Sequence, residues 1–150
     1  MFQLNIFLNL FRKNGVFSFT GRINRSKYII RSLIFLLMCI GNMFLMLGTF
    51  HLLGDKPISW IIVIAVGFFI ILYSLANSIK RLHDLNLSGL WILLWIVLIG
   101  LISNFLGYST AKLTNNIISF IIWVIMISLP GSPGPNKYGE DPLSTTPPTA

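Results

Sequence analysis

The chain has 150 residues, of which 55% are hydrophobic and 10% are charged, and its mean hydropathy is +0.80. These values lie well outside the range of water-soluble domains and leave no room for a sizeable soluble domain. Its net charge is +7, and its single cysteine, Cys39, excludes an intrachain disulfide.

The first 27 residues form a basic arm in front of the first apolar segment. Residues 1–11 are mostly apolar, are interrupted by polar residues at positions 3, 5 and 9, and are too short to cross a bilayer. They fit either a helix that lies in the headgroup plane or a terminus that only contacts lipid.

Four apolar segments follow, over about residues 28–53, 58–79, 90–106 and 113–129. A helix needs about 20 apolar residues to cross a bilayer, and the first two segments exceed that length. The fourth is the weakest crossing, because its strongly apolar part begins only at Ile117, and a re-entrant segment is the alternative. The sequence therefore predicts an all-α polytopic membrane protein, a four-transmembrane-helix bundle in one domain (1–150), with a Gly/Pro-rich tail over 130–150.

The first apolar segment does not fit a cleaved signal peptide. Its apolar stretch from Ser32 to Phe50 exceeds the roughly 7–15 residues of a signal sequence and ends without an Ala-x-Ala site. A lipoprotein signal is also disfavoured, since Met38 occupies the position before Cys39 where a small residue is needed.

Basic residues predict the orientation of the bundle. Only Lys56 and Lys112 fall on one side, and the other side carries Arg12, Lys13, Arg22, Arg25, Lys27, Arg31, Lys80, Arg81 and Lys137. By the positive-inside rule, both termini are expected in the cytoplasm. This bias explains the net charge without a nucleic-acid partner, and the basic face should favour anionic lipid headgroups.

Small and polar residues inside the segments predict where the helices meet. The small residues are Gly41, Gly48, Gly67, Ser74, Ser78, Gly100, Ser103 and Gly107. Asn42, Asn77 and Asn104 are expected to form hydrogen bonds between helices, and the alternative is that they line a substrate path. Aromatic residues are assigned to the inner boundary (Tyr28, Trp91), the outer boundary (Trp60, Tyr108) and internal packing (Trp95, Trp123).

Acidic residues are few, and all four fall in predicted loops or the tail: Asp55, Asp84, Glu140 and Asp141. No carboxylate is therefore expected at mid-membrane, where ion-coupled carriers generally place one. The adjacent His83 and Asp84 would need further ligands to bind a metal, and the other histidine, His51, is predicted on the opposite face. We expect no metal, no cofactor and no catalytic residue.

Three polar motifs converge on the predicted cytoplasmic face. They are Gly-Arg-x-x-Arg (21–25), Arg-Leu-His-Asp with Ser-Gly-x-Trp (81–91), and Gly-x-x-Gly-x-Asn-x-Tyr-Gly-x-Asp-Pro (131–142). With these motifs in this order around four helices, nearly the whole chain resembles the domain of unknown function 805 family of small bacterial inner-membrane proteins. The resemblance implies a multi-pass protein of the bacterial inner membrane and no assigned activity.

The resemblance also marks a set of residues, here called the motif cluster, as the candidate site. It comprises Gly21, Arg22, Arg25, Arg81, His83, Asp84, Ser88, Gly89, Trp91, Gly134, Asn136, Tyr138, Gly139, Asp141 and Pro142.

A charge lock is one physical role for the motif cluster. In it, an arginine (Arg22, Arg25 or Arg81) pairs with an acid (Asp84, Glu140 or Asp141), because the turn after the fourth helix returns the tail to the basic segments. The alternative is that the arginines bind lipid phosphate and the tail is solvated. Ser88, Asp84 or Asn86 is also expected to cap the third helix.

The sequence favours a structural or interaction protein, acting as a homo-oligomer or with a membrane-protein partner. The alternative is a subunit of an oligomeric transporter or channel, with the three asparagines as pore candidates. A lipid-acting enzyme with Arg81, His83 and Asp84 as its cluster comes last. We therefore expect no enzymatic activity.

Overall fold

The structure, a computed structural model, describes residues 15–106 and 108–144 and shows four helices. They are α1 (Arg25–Leu53), α2 (Pro57–Asp84), α3 (Trp91–Phe105) and α4 (Tyr108–Ser128). Within these ranges the protein is helical, as predicted, with one isolated bridge between Asn136 and Gly139. The predictions for residues 1–14, Gly107, the side chain of Tyr108 and residues 145–150 lie outside the described part of the chain.

Three of these helices are long and apolar enough to cross a membrane: α1, α2 and residues Ser109–Ser128 of α4. Their surfaces expose large apolar side chains, such as Leu37 and Phe44, which are 67% and 63% exposed. Continuous apolar surfaces of this kind are unfavourable in water and suit contact with lipid. The helices are those of a membrane protein.

The relative lengths of the last two helices differ from the prediction. α4 has 21 residues and α3 only 15, so the third segment, and not the fourth, is the short one. α4 is longer because its polar first turns, before Ile117, continue the helix outside the apolar stretch. α3 ends at Phe105, since Leu106 adopts an extended conformation with φ −102° and ψ 141°.

The boundaries of α1 and α2 were also predicted too short. α1 begins at Arg25, because Asn24 caps it by accepting a hydrogen bond from the Lys27 amide at 2.9 Å. α2 continues past Ile79 to Asp84, so the prediction that Lys80 to Asp84 form a loop is wrong. These polar residues stay helical because their side chains are buried and bonded inside the protein.

The helices form two antiparallel pairs, in which α1 packs against α2 and α3 packs against α4, and α4 also contacts α1. Their small core, with Ile23, Tyr28 and Met126 at its centre, joins the start of α1 to the ends of α2 and α4. A Cβ on Gly89 would lie 3.0 Å from the Ile79 side chain, which places the start of α3 at the same end. We call this end of the bundle the polar end.

The predicted small-residue interfaces are only partly present. Gly67 lies beside Asn42, whose amide nitrogen is 3.7 Å from where a Cβ on the glycine would be. Gly41, Gly48 and Gly100 have nothing within 4 Å of that position, so the close helix packing that was predicted at these glycines is absent. Gly41 instead lines the hollow between α1 and α2 beside Asn42.

The predicted hydrogen bonds between helices also differ. Asn104 donates to the Gly100 carbonyl of its own helix at 2.8 Å, and Asn115 of α4 instead donates to Ser103 of α3 at 3.0 Å. A side chain that reaches its own helix one turn back does not need a partner across the interface. The Oδ1 atoms of Asn42 and Asn77 are buried without a hydrogen-bond partner.

Candidate functional site

Asp84 lies between two arginines at the polar end. Its Oδ1 is 3.1 Å from Arg22 Nη2, and its Oδ2 pairs with Arg81 Nη1. The side chains of Arg22, Arg81 and Asp84 are 1%, 0% and 3% exposed. Two of the pairs that the charge-lock hypothesis allowed are therefore present, and we call these three residues the lock.

The other members proposed for the lock do not take part in an ion pair within the described residues. Arg25 and Glu140 are exposed, and Asp141 bonds to backbone amides. Because the lock contains two cations and one carboxylate, its positive charge must be stabilised by further acceptors.

Arg22 obtains those acceptors from the tail. Its Nη1 donates to the Gly134 carbonyl at 2.7 Å and its Nη2 to the Ser132 carbonyl at 2.6 Å. The prediction that acidic side chains dock the tail is therefore corrected, since backbone carbonyls do so. The planar guanidinium suits this role because its five N–H groups can reach several acceptors at once.

Arg81 binds the C-terminal end of α4. Its Nε donates to the Met126 carbonyl at 2.8 Å and its Nη2 to the Leu129 carbonyl at 2.5 Å. The last carbonyls of a helix lack intrahelical partners and carry partial negative charge. Arg81 therefore joins the end of α2 to the end of α4. Its acceptors are backbone carbonyl groups, which cannot be identified from the pattern of side chains in the sequence.

The tail contacts Asp84 at very close range. The Ser132 amide donates to the Asp84 carbonyl at 2.7 Å, and a Cβ added at Gly131 would lie 2.3 Å from Asp84 Oδ2. Any side chain at position 131 would collide with the lock. Gly131 begins the tail motif but is not a member of the motif cluster, so its contact with the lock was not predicted from the sequence.

His83 is packed between the segment before α1 and the tail. Its ring stacks on Tyr138 with centroids 3.8 Å apart and planes 5° apart, and its Nδ1 is 3.1 Å from the Gly21 carbonyl. Its own carbonyl accepts from Asn136 Nδ2 at 3.0 Å. With one ring nitrogen on a carbonyl and one face under tyrosine, His83 has the environment of a packing residue.

The tail itself folds into a small loop over residues 134–141. The amides and carbonyls of Asn136 and Gly139 bond to each other, both at 3.0 Å, and Gly134 and Gly139 have φ values of 70° and 136°, which favour glycine. Asp141 closes the loop by accepting from the amides of Leu143 and Gly134. These two bonds lower the pKa of Asp141 below its ordinary value.

The remaining members of the motif cluster lie beside the lock and not in it. Ser88 Oγ accepts from the Leu90 amide at 3.3 Å in the turn before α3. α3 has no side-chain cap, so the prediction that Ser88, Asp84 or Asn86 caps it is wrong. Trp91 is largely exposed, and Pro142 is half-buried beyond the loop.

Two further basic residues, Arg31 and Lys80, lie next to the lock, between α1 and α2, and we call them the basic pair. Lys80 is 1% exposed and donates to the Gly15 carbonyl. Arg31 Nη1 is buried without a hydrogen-bond partner. All four acidic residues of the sequence belong to the described part of the chain, and neither Arg31 nor Lys80 forms an ion pair there.

A mostly apolar cavity of about 880 Å³ opens between the two helix pairs. A smaller hollow of about 370 Å³ lies beside Asn42. Among the described residues, no group of three or more His, Cys, Asp or Glu side chains is arranged to hold a metal ion.

Comparison with known proteins places the chain in a family. No curated protein matches it, and no solved structure does. The family described as "Protein of unknown function (DUF805)" matches residues 16–140, a range that includes all four helices and both lock arginines. The chain therefore belongs to the DUF805 family, as its motifs predicted.

Proposed function

We propose that the chain is a multi-pass protein of the bacterial inner membrane with a structural or interaction role. The lock carries this proposal. Its side chains hold together the segment before α1, the end of α2 and the chain from the end of α4 into the tail. All three side chains are buried, so none of them is open to a substrate. His83 is likewise held by stacking. These contacts support a protein without enzymatic activity.

Four crossings with both termini in the cytoplasm are the topology that fits this arrangement best. The starts of α1 and α3 and the ends of α2 and α4 meet at the polar end, where the basic residues also gather. α3 extends only about 22 Å at 1.5 Å per residue. A short helix of this kind crosses a bilayer of about 30 Å by local thinning of the lipid.

Reporter fusions test this topology. A fluorescent protein that folds only in the cytoplasm should be bright when fused before Met1 or after Ala150. A phosphatase active only outside the cytoplasm should work when inserted at Asp55, between α1 and α2. Opposite locations for the two termini would show that one helix does not cross.

The transporter alternative gains no support from the described residues. Asn104 bonds within its own helix, and Asn42 and Asn77 line different hollows. A polar route through one copy of the chain would require these side chains to meet. Self-association or a membrane-protein partner remains part of the proposal, and the exposed Gly48 and Gly100 leave open surface for a second helix.

Anionic lipid headgroups are the proposed partners of the basic pair. A buried guanidinium N–H without an acceptor is unfavourable, and no carboxylate of this chain supplies one to Arg31. Arg31 is half-buried, so a lipid phosphate at the boundary of the bilayer would meet the accessible part of its guanidinium group and supply the missing negative charge.

The Arg31→Gln variant is expected to lose selectivity for anionic lipid. Purified protein should gain more thermal stability from phosphatidylglycerol than from phosphatidylcholine, and the variant should gain equally from both. Arg25→Gln, at an exposed position on the same helix, is the matched control and should keep the difference. Inorganic phosphate, added in a separate arm, identifies binding of a free anion instead of a lipid.

A further inference from the structure

The segment before α1, residues 15–21, folds back along the side of α2, and we call it the interfacial segment. The ring of Phe17 packs edge-on against the rings of Phe69 and Tyr73, with centroids 6.4 and 6.3 Å away. The last carbonyl group of the segment lies 3.1 Å from His83 Nδ1. The segment therefore runs from the polar end toward the middle of α2.

The depth of Phe17 follows from the length of α2. With Trp60 at the outer boundary of the bilayer, as its ring favours, Lys80 lies 20 residues later, about 30 Å along the helix, which matches the thickness of the hydrocarbon core. Phe69 and Tyr73 come 11 and 7 residues before Lys80, and so lie about 16 and 10 Å inside the inner boundary. The ring of Phe17, which contacts both, therefore lies at hydrocarbon depth.

The chemistry of the interfacial segment suits that depth. It contains no charged residue, and the hydroxyl groups of Ser18 and Thr20 bond to each other at 2.8 Å. The Thr20 amide donates to Ser18 Oγ, and the Ser18 amide donates to the Gly15 carbonyl, both at 3.2 Å. Polar groups beside lipid need such internal partners, because lipid chains offer no hydrogen bonds. The apolar side chain of Phe19 is 44% exposed.

Lys80 gives a second reason for the segment to stay at this depth. Its side chain is 1% exposed and donates to the Gly15 carbonyl, and it has no ion-pair partner among the described residues. A lysine at the edge of the hydrocarbon usually extends its ammonium group to water or headgroups. Here the interfacial segment covers the ammonium group and supplies an acceptor.

We propose that the interfacial segment is a lipid-contacting surface, which inserts Phe17 and Phe19 among the acyl chains of the leaflet next to the polar end. Its partner is the hydrocarbon and not a particular headgroup, because the segment carries no charge. The two rings anchor the chain directly before Arg22 and so help to keep this arginine at the level of the lock. The proposal goes beyond the structural role, and it requires only that α2 spans the bilayer.

A nitroxide spin label tests the position of the segment. The label is attached to Phe19→Cys in the full chain, with Cys39→Ser to remove the native thiol, in phosphatidylcholine vesicles. Oxygen concentrates in hydrocarbon and a nickel chelate stays in water, so the ratio of their collision rates with the label reports depth. Leu37→Cys on the apolar surface of α1 is the bilayer reference, and Glu140→Cys in the exposed tail loop is the water reference.

The ratio at position 19 should be several-fold higher than at position 140, and it should be the same in vesicles that contain phosphatidylglycerol. A ratio equal to that at position 140, or one that rises only with the anionic lipid, would overturn the proposal. The value at position 37 separates this failure from a failure of the membrane assignment, because it reports insertion of α1 alone.

Two substitutions at Phe17 test the anchor in the chain labelled at position 19. Phe17→Ser should lower the ratio to the water value, because a serine gains nothing from hydrocarbon, whereas Phe17→Leu keeps an apolar side chain and should preserve the ratio. An unchanged ratio in Phe17→Ser would show that this ring does not hold the segment. The measurement on the chain with Phe17 intact decides the proposal even if Phe17→Ser does not fold.

Discussion

Replacing Asp84 with asparagine is expected to lower the free energy of unfolding by about 3–5 kcal/mol, the usual cost of removing one partner from a buried ion pair. The carboxylate contacts both Arg22 and Arg81, all three side chains are almost completely buried, and the variant leaves two guanidinium groups without a counter-charge. Thermal unfolding in detergent, followed by circular dichroism, measures the loss.

Glu140→Gln is the control for Asp84→Asn. It removes the same charge from an exposed residue that forms no ion pair within the described chain. Its stability should stay close to that of the native protein. Limited proteolysis gives a second readout, since the tail of Asp84→Asn should be cut faster while the tail of Glu140→Gln is cut at the native rate. Equal stability of the two variants would contradict the assignment of Asp84 to the lock.

Gly131→Ala is expected to give the second-largest effect, about 1–3 kcal/mol of destabilisation, because an added methyl group in a tightly packed site forces its neighbours to move. Its Cβ would lie 2.3 Å from Asp84 Oδ2, so either the tail or the carboxylate must leave its position. The same unfolding measurement in detergent, with proteolysis of the tail, detects both outcomes.

Gly100→Ala is the matched substitution for Gly131→Ala. Nothing lies within 4 Å of a Cβ at Gly100, and alanine is the better helix former. This variant should be as stable as the native chain or slightly more so. A loss in Gly100→Ala as large as in Gly131→Ala would mean that the collision with Asp84 is not the cause.

The four helices could be predicted from the sequence because apolar segments long enough to cross a bilayer have few other solutions. Their ends were harder to predict. The segment from Lys80 to Asp84 looks like a loop when polarity alone is considered, and it is helical because Arg81 and Asp84 meet partners from other parts of the chain. No local pattern contains that information.

The lock illustrates a similar limit. Opposite charges in the motifs allowed the pairing of Arg22 and Arg81 with Asp84 to be predicted. The carbonyl acceptors of Ser132, Gly134 and Leu129 could not be predicted, since every residue carries a carbonyl and its direction depends on the fold. The orientations of Asn104 and Asn115 were beyond prediction for the same reason, because small rotations of a helix decide which amide faces its neighbour.

The lock has a consequence for the order of events during biosynthesis. Arg22 and Asp84 are translated before Ser132 and Gly134, whose carbonyl and amide groups complete their surroundings. Until then the nascent chain carries these charges without their final acceptors. The polar end therefore completes its hydrogen bonds only after the segment that follows α4 has been made, and a chain that stopped at Leu129 would lack the Ser132 and Gly134 carbonyls that Arg22 binds.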